Sequence, residues 1–173
     1  MRRLSVFIEI NGESVHVGEI VGKDSNDACF TYADTYLENP EHRAVSIGLS
    51  LVEKTFDARR TRIFFEGLLP EGFTRRCVAE WMHMDENDYV SILAGLGREC
   101  LGAIKIVDES DDVIKPEYRE LSAEEVYALA SEGATESAEL VTKSHLSLTG
   151  ASGKVGLFFD EKEGREIEKD CCK

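Results

Sequence analysis

Five consecutive residues near the C-terminal end, Gly150-Ala151-Ser152-Gly153-Lys154, have the types that can hold a phosphate. Glycine lets backbone N–H groups come close to phosphate oxygens, and a lysine adds a compact positive charge. The same residues also suit a surface β-turn, the commoner use of so short a pattern. A Walker A loop is excluded, because it would need glycine where Leu148 stands and serine or threonine where Val155 stands.

Other chemistry finds less support. The four histidines (His16, His42, His83 and His145) share no motif with a serine, cysteine or carboxylate nucleophile. With 34 acidic residues some carboxylates must fall close together, and no spacing singles out a catalytic pair. The five cysteines (Cys29, Cys77, Cys100, Cys171 and Cys172) are odd in number and lack ligand spacing. They argue against a disulfide framework and against a zinc site, and for a reducing compartment. No apolar run approaches the ~20 residues of a membrane span, and Glu9 interrupts the apolar start too soon for a signal peptide. A cytoplasmic protein is expected. The net charge of −14 is uneven: Asp108 to Leu140 carry eleven acidic residues against Lys115 and Arg119. That charge repels phosphate backbones, so direct binding to nucleic acid is not expected, and the stretch reads as a solvated acidic connector.

The elements around these residues follow from periodicity. Leu4, Val6, Ile8 and Ile10 alternate with other residues at the period of a strand. Asn11-Gly12 then gives the strongest two-residue hairpin signal, and 15–21 read as the returning strand. Further strands are expected at 28–32 and 44–49. The period then changes to helical over 60–69 until Pro70 and Gly72, and two more helices are expected over 73–83 and 88–96, with Asp88 as a cap. Trp81 and Tyr89 read as core aromatics, and His16 as a solvent-facing or satisfied strand residue. Residues 102–107 read as a strand able to rejoin the opening sheet. Ser122-Ala123-Glu124-Glu125 is a capping box before a short helix, and 155–159 read as a last strand before a charged tail. The expected fold is α+β: a curved antiparallel sheet of short strands with three or four packed helices.

Three stretches, in order, carry a family resemblance: Phe64-Phe65-Glu66-Gly67-Leu68-Leu69-Pro70-Glu71-Gly72 with Arg75-Arg76, then Gly95-Leu96-Gly97-Arg98-Glu99-Cys100-Leu101-Gly102-Ala103, then Ser147-Leu148-Thr149-Gly150-Ala151-Ser152-Gly153-Lys154. Behind a β-rich start ending in Ser46-Ile47-Gly48-Leu49-Ser50-Leu51, they resemble the N-terminal part of HipA-type serine/threonine kinases, the toxins of HipA/HipB toxin–antitoxin systems, over about residues 4–159. The likeness implies a HipA-like N-terminal domain over 1–110, an acidic helix and connector over 111–142, the start of a kinase small lobe over 143–160, and a charged tail over 161–173.

From the residues alone, Phe64, Phe65, Leu68 and Leu69 make a wide apolar face to be buried in a core. The resemblance adds docking of that face against the kinase body. It also implies a loop over nucleotide phosphates at Gly150–Lys154, departing from the family at Thr149 (usually alanine) and Ser152 (usually glutamine), and a phosphorylation site at Ser147. A kinase needs a lysine on a following strand, a catalytic aspartate and metal ligands as well, and only 19 residues follow Lys154. The chain is therefore expected not to be an enzyme alone, and to use ATP and Mg²⁺ only when a kinase body is supplied. The partners implied are a HipA-type kinase chain or a second copy, with a HipB-like DNA-binding antitoxin reached through the complex. The resemblance thus implies a non-catalytic N-terminal binding or regulatory module like the separate small subunit of split systems; a shortened kinase and an independent interaction domain are the alternatives.

Overall fold

A computed structural model describes residues 1–96, 103–108, 119–120, 122–124, 126–127, 157–160 and 165–168. Strands β1 (Arg2–Ile10) and β2 (Glu13–Gly22) form a hairpin in which Ile10 faces Glu13. Asn11 (φ 54°) and Gly12 (φ 82°) make the two-residue turn, both in the left-handed region that a type I′ turn demands. β3 (Cys29–Tyr32), β4 (Thr55–Phe56) and β5 (Ile104–Asp108) complete a sheet of order β4-β3-β2-β1-β5, antiparallel at every pairing. Its helices are α1 (Asp34–Leu37), α2 (Ala58–Glu66), α3 (Gly72–Trp81) and α4 (Tyr89–Leu96), so the α+β architecture is as expected.

The hairpin contains a β-bulge, since Val6 faces Gly18 while Phe7 faces His16. A bulge adds one residue and so reverses which side chains point inward. Val17, the extra residue, and Ile20 beyond it are thereby both buried, although they lie three residues apart. At the bulge β3 comes so close that a Cβ on Gly18 would lie 2.1 Å from the Thr31 carbonyl oxygen. Glycine is required there for close backbone approach. His16 sits opposite Phe7, their rings 5.2 Å apart.

An aromatic cluster fills the core: Phe30, Tyr32, Tyr36, Phe56 and Phe65 are all buried. Phe30 meets Tyr32 edge-on at 4.8 Å, and Phe65 at 5.3 Å. Full burial of one such side chain is worth roughly 1.5–3 kcal/mol. From α4, Tyr89, Ile92, Leu93 and Leu96 join the same core. Asp88 precedes that helix and accepts from the Ser91 N–H at 3.3 Å, as a capping residue should.

Several elements differ from expectation. Residues 44–49 form no ladder strand, although Ser46 and Leu49 share an isolated bridge. Side chains take up that segment's backbone groups instead. The Tyr32 hydroxyl donates to the Leu49 carbonyl at 2.5 Å and accepts from the Val45 N–H at 3.1 Å, while Arg60 Nη2 donates to the Gly48 carbonyl at 2.7 Å. The place beside β3 goes to the two-residue β4. α2 stops at Glu66 rather than 69, because Leu68 and Leu69 donate back three residues, to Phe65 and Glu66, tightening the last turn ahead of Pro70. Trp81 is 44% exposed and not a core aromatic.

Toward the C-terminus, Val126 donates to the Ser122 carbonyl at 3.0 Å, the helical turn that the capping box anticipates. β6 (Arg119–Glu120), β7 (Leu157–Asp160) and β8 (Arg165–Glu168) form a second antiparallel sheet in the order β6-β8-β7. The stretch read as a tail thus contributes a strand. Among the described residues, no helix is long and apolar enough to cross a membrane.

Candidate docking face

Helix α2 begins where the Asp57 carboxylate accepts the Arg60 N–H at 2.8 Å. Thr61 anchors its inner face, accepting the Phe30 N–H at 2.9 Å and donating to the Phe56 carbonyl at 3.3 Å. With 3.6 residues per turn, Thr61, Phe65 and Leu68 then share the side facing the sheet.

This placement divides the four residues expected to dock. Phe65 is 0% exposed and Leu69 1%, both sealed inside the core, so neither can belong to a surface in this fold. Phe64 and Leu68 are half-buried and pack against the core from its margin. Plain core packing, the reading from residue type alone, describes this face better than docking does. Ser147 and Gly150, Ala151, Ser152, Gly153 and Lys154 lie outside the described residues.

The outward face of the same helices carries what the sequence reading missed. Ile63 is 68% exposed and Phe73, in the first turn of α3, is 47% exposed. A helical wheel would have shown it: Ile63 and Phe65 lie two residues, or about 200°, apart, so one must point out if the other points in. Arginines surround them. Arg60 forms a two-bond contact with Glu53, at 2.9 and 2.7 Å, and its guanidinium lies 4.6 Å over the Phe56 ring. Arg62 Nε donates to Glu66 at 2.6 Å, and Arg75 Nη2 donates to the other Glu66 oxygen at 2.9 Å. Arg75 Nε also donates to the Glu86 carbonyl at 2.7 Å.

Glu66 is thus the pin between α2 and α3. Partial burial pushes its carboxyl pKa up, but hydrogen bonds from Arg62 and Arg75 and their positive charges outweigh this and hold it below the usual carboxylate range. Asp88 behaves alike. Burial raises its pKa, and hydrogen bonds from Ser25 and Ser91 together with the nearby Arg2 charge more than reverse the effect. Its oxygens accept from Ser25 Oγ at 2.6 Å and Ser91 Oγ at 2.5 Å, and Arg2 donates to the same Ser91 hydroxyl at 2.7 Å. Arg2 also approaches Asp108 at 3.4 Å, so one polar chain joins the starts of β1 and α4 with the end of β5.

Among the described residues no three of His, Cys, Asp and Glu gather as a metal site would need. The outward side of these helices thus carries exposed apolar side chains and guanidinium groups together.

Comparison with known proteins adds the lineage. The family model of the HipA N-terminal domain matches residues 8–107. A putative kinase, Y4mE of Sinorhizobium fredii, is 26% identical over 154 residues, which are 85% of this chain and 37% of that protein. An uncharacterized protein of Haemophilus influenzae is 27% identical over 104 residues, 57% of this chain and 92% of that protein. This chain therefore spans little more than a third of the longer relative and covers nearly all of the shorter one. The family match runs from within β1 to within β5, its neighbour in the sheet, and on that match the chain belongs to the HipA N-terminal domain family.

Proposed function

We propose that this chain is a non-catalytic binding and regulatory module of a HipA-type kinase system, acting on a chain that carries the kinase body. The observation that carries this reading is the pair of relatives. This chain matches part of a longer putative kinase, 37% of its length, and nearly the whole of a small protein, 92% of its length. A domain used both ways is a unit able to meet its kinase body as a separate chain. ATP and Mg²⁺ would then be bound with the kinase body, with Gly150–Lys154 contributing a loop and Ser147 a phosphorylation site. A HipB-like antitoxin would be reached only through that complex.

The test is calorimetric titration with ATP–Mg²⁺, of this chain alone and of its mixture with the separately produced remainder of the Sinorhizobium protein. Heat of binding that appears or changes only in the mixture is the expected result. Phosphoryl transfer by this chain alone would overturn the reading.

A second reading, a fragment of a longer HipA-type kinase, is favoured by one observation. The 154-residue match to the putative kinase runs well past the 8–107 domain. An immunoblot of the source cells separates the two. A band at the length of this chain supports the separate module, and a band at the length of the longer relative supports the fragment.

A further inference from the structure

Two of the chain's three methionines meet at one glycine. A Cβ built on Gly95 would overlap the Met82 methyl carbon, and it would lie 3.2 Å from the Met82 sulfur and 3.8 Å from the Met84 methyl carbon. Gly95 lies inside α4 and its φ is not positive, so space rather than conformational freedom accounts for it. Glycine weakens a helix relative to alanine, and here it leaves room for a thioether pressed on bare backbone. The turn before α4 delivers both side chains. His83, at φ 54°, ends α3 in the left-handed conformation, and its N–H donates to the Glu80 carbonyl at 3.1 Å while the Met84 N–H donates to the Ala79 carbonyl at 2.8 Å. That pair of bonds is a Schellman ending, with Met82 and Met84 on either side of the reversal.

Met82 packs against the core from its margin and is half-buried, as is Met84. A thioether in that position fills space as a hydrocarbon would and stays within reach of a small oxidant. With hydrogen peroxide, a sulfur lone pair attacks one peroxide oxygen and the O–O bond breaks. The sulfur is oxidised to the sulfoxide by two electrons, and the peroxide is reduced to water. A thiol-dependent reductase runs the change backwards, releasing the oxygen as water while two thiols become a disulfide. The sulfoxide is polar, and its sulfur stands in tight contact with the backbone of α4. The added oxygen must either lie unbonded against an apolar helix or turn to solvent and lift the methyl group off Gly95.

We infer that Met82 is a reversible oxidation site, and that its sulfoxide loosens α3 from α4. Val78 and Ala79 of α3 share one core with Tyr89, Ile92, Leu93 and Leu96 of α4, so the junction between the helices bears on the stability of the whole domain. Met84 has the lesser part, since its methyl group makes only ordinary contact at Gly95 and can turn away. Met1 is 94% exposed, so its oxidation disturbs no packing and serves as an internal reference for access of the oxidant. Cys29 and Cys77 are free and partly exposed, and they too react with peroxide. Thiol treatment reverses their disulfides and sulfenic acids but leaves methionine sulfoxide in place, which separates the two chemistries.

The experiment treats the full chain with hydrogen peroxide and then with excess thiol, beside Met82→Leu and Met84→Leu handled alike. Leucine nearly conserves the volume and cannot be oxidised, so both variants should fold. Peptide mass spectrometry locates the sulfoxides, and urea unfolding measures stability. Emission from Trp81, the chain's one tryptophan and the neighbour of Met82, follows the helix junction. The expected result is a sulfoxide at Met82, altered Trp81 emission and a folding equilibrium constant lowered about tenfold, in wild type and in Met84→Leu. Met82→Leu should pass through the treatment with its stability unchanged, and a methionine sulfoxide reductase supplied with thiol should restore wild type. Met82 left as the thioether while Met1 is fully converted would overturn the inference. So would a Met82 sulfoxide with no loss of stability, or a loss of equal size in Met82→Leu.

Discussion

Replacing Phe65 with alanine and, separately, Ile63 with alanine is the sharpest test of how α2 is oriented. The two residues are two positions apart in one amphipathic run and would be interchangeable if the whole run were a docking surface. In the structure they have opposite fates. Phe65 is fully buried, with Phe30 at 5.3 Å and Phe64 at 4.9 Å between ring centres. Its truncation removes those contacts and leaves a cavity, a change that costs about 3–5 kcal/mol in well-packed cores. Against a domain stability of about 5–15 kcal/mol, this is a third or more of the total in most cases. At ~2–4 °C per kcal/mol, the melting temperature should fall by about 6–20 °C. Ile63→Ala exposes nothing new and replaces a β-branched helix residue with the best helix former, so its effect should stay within about 0.5 kcal/mol. Urea unfolding followed by circular dichroism measures both, and an unchanged slope against denaturant would show that the midpoint shift reports stability. A loss below ~1 kcal/mol for Phe65→Ala, or equal losses for the two variants, would refute this orientation of α2.

Three further outcomes follow from the same geometry. Gly18→Ala should destabilise by about 3 kcal/mol, because the new Cβ would meet backbone atoms of Thr31 and Tyr32 that cannot rotate away; urea unfolding measures it, and a neutral result would mean the bulge relaxes freely. Tyr89→Phe should be neutral or stabilising by up to ~1 kcal/mol, since the Tyr89 hydroxyl is buried without a hydrogen-bond partner among the described residues; a clear loss would reveal an acceptor for it. Glu66 and Asp88 have folded pKa values depressed below their reference values of 4.5 and 3.8. Their contribution is therefore present at neutral pH and is lost as pH falls from the ordinary carboxylate range through the lower folded values. Unfolding free energies compared between neutral and acid pH should fall less steeply for Glu66→Gln and Asp88→Asn than for wild type.

What the sequence disclosed divides along physical lines. Local chemistry was legible: Asn11-Gly12 can hardly be other than a hairpin turn, and Asp88 caps its helix because an oxygen three residues before Ser91 reaches that N–H. The return of residues 102–107 to the first strand was legible too, from an apolar alternation that matches β1. The 44–49 segment was not. Its pattern is that of a strand, yet the Tyr32 hydroxyl and the Arg60 guanidinium, 17 and 12 residues from the backbone groups they bind, take the place of a ladder. No local rule foresees a side chain arriving from so far along the chain. The bulge was hidden for a related reason, since it reveals itself only as Val17 and Ile20 both pointing inward, which strict alternation forbids. Of the expected site, residue types showed that α2 has an apolar face, but only packing could show that Phe65 and Leu69 are spent in the core while Ile63 faces outward.

The sheet order shows how the residues of the family match make one core. β1 opens the chain and takes the position between β2 and β5, so the first strand is completed by the last strand of the family match. Ile104 and Ile106 of β5 are buried, and Asp108 at its end meets Arg2 at the beginning of β1. The core thus closes before the chain leaves β5. Among the described residues, every buried side chain of this core lies at or before residue 108.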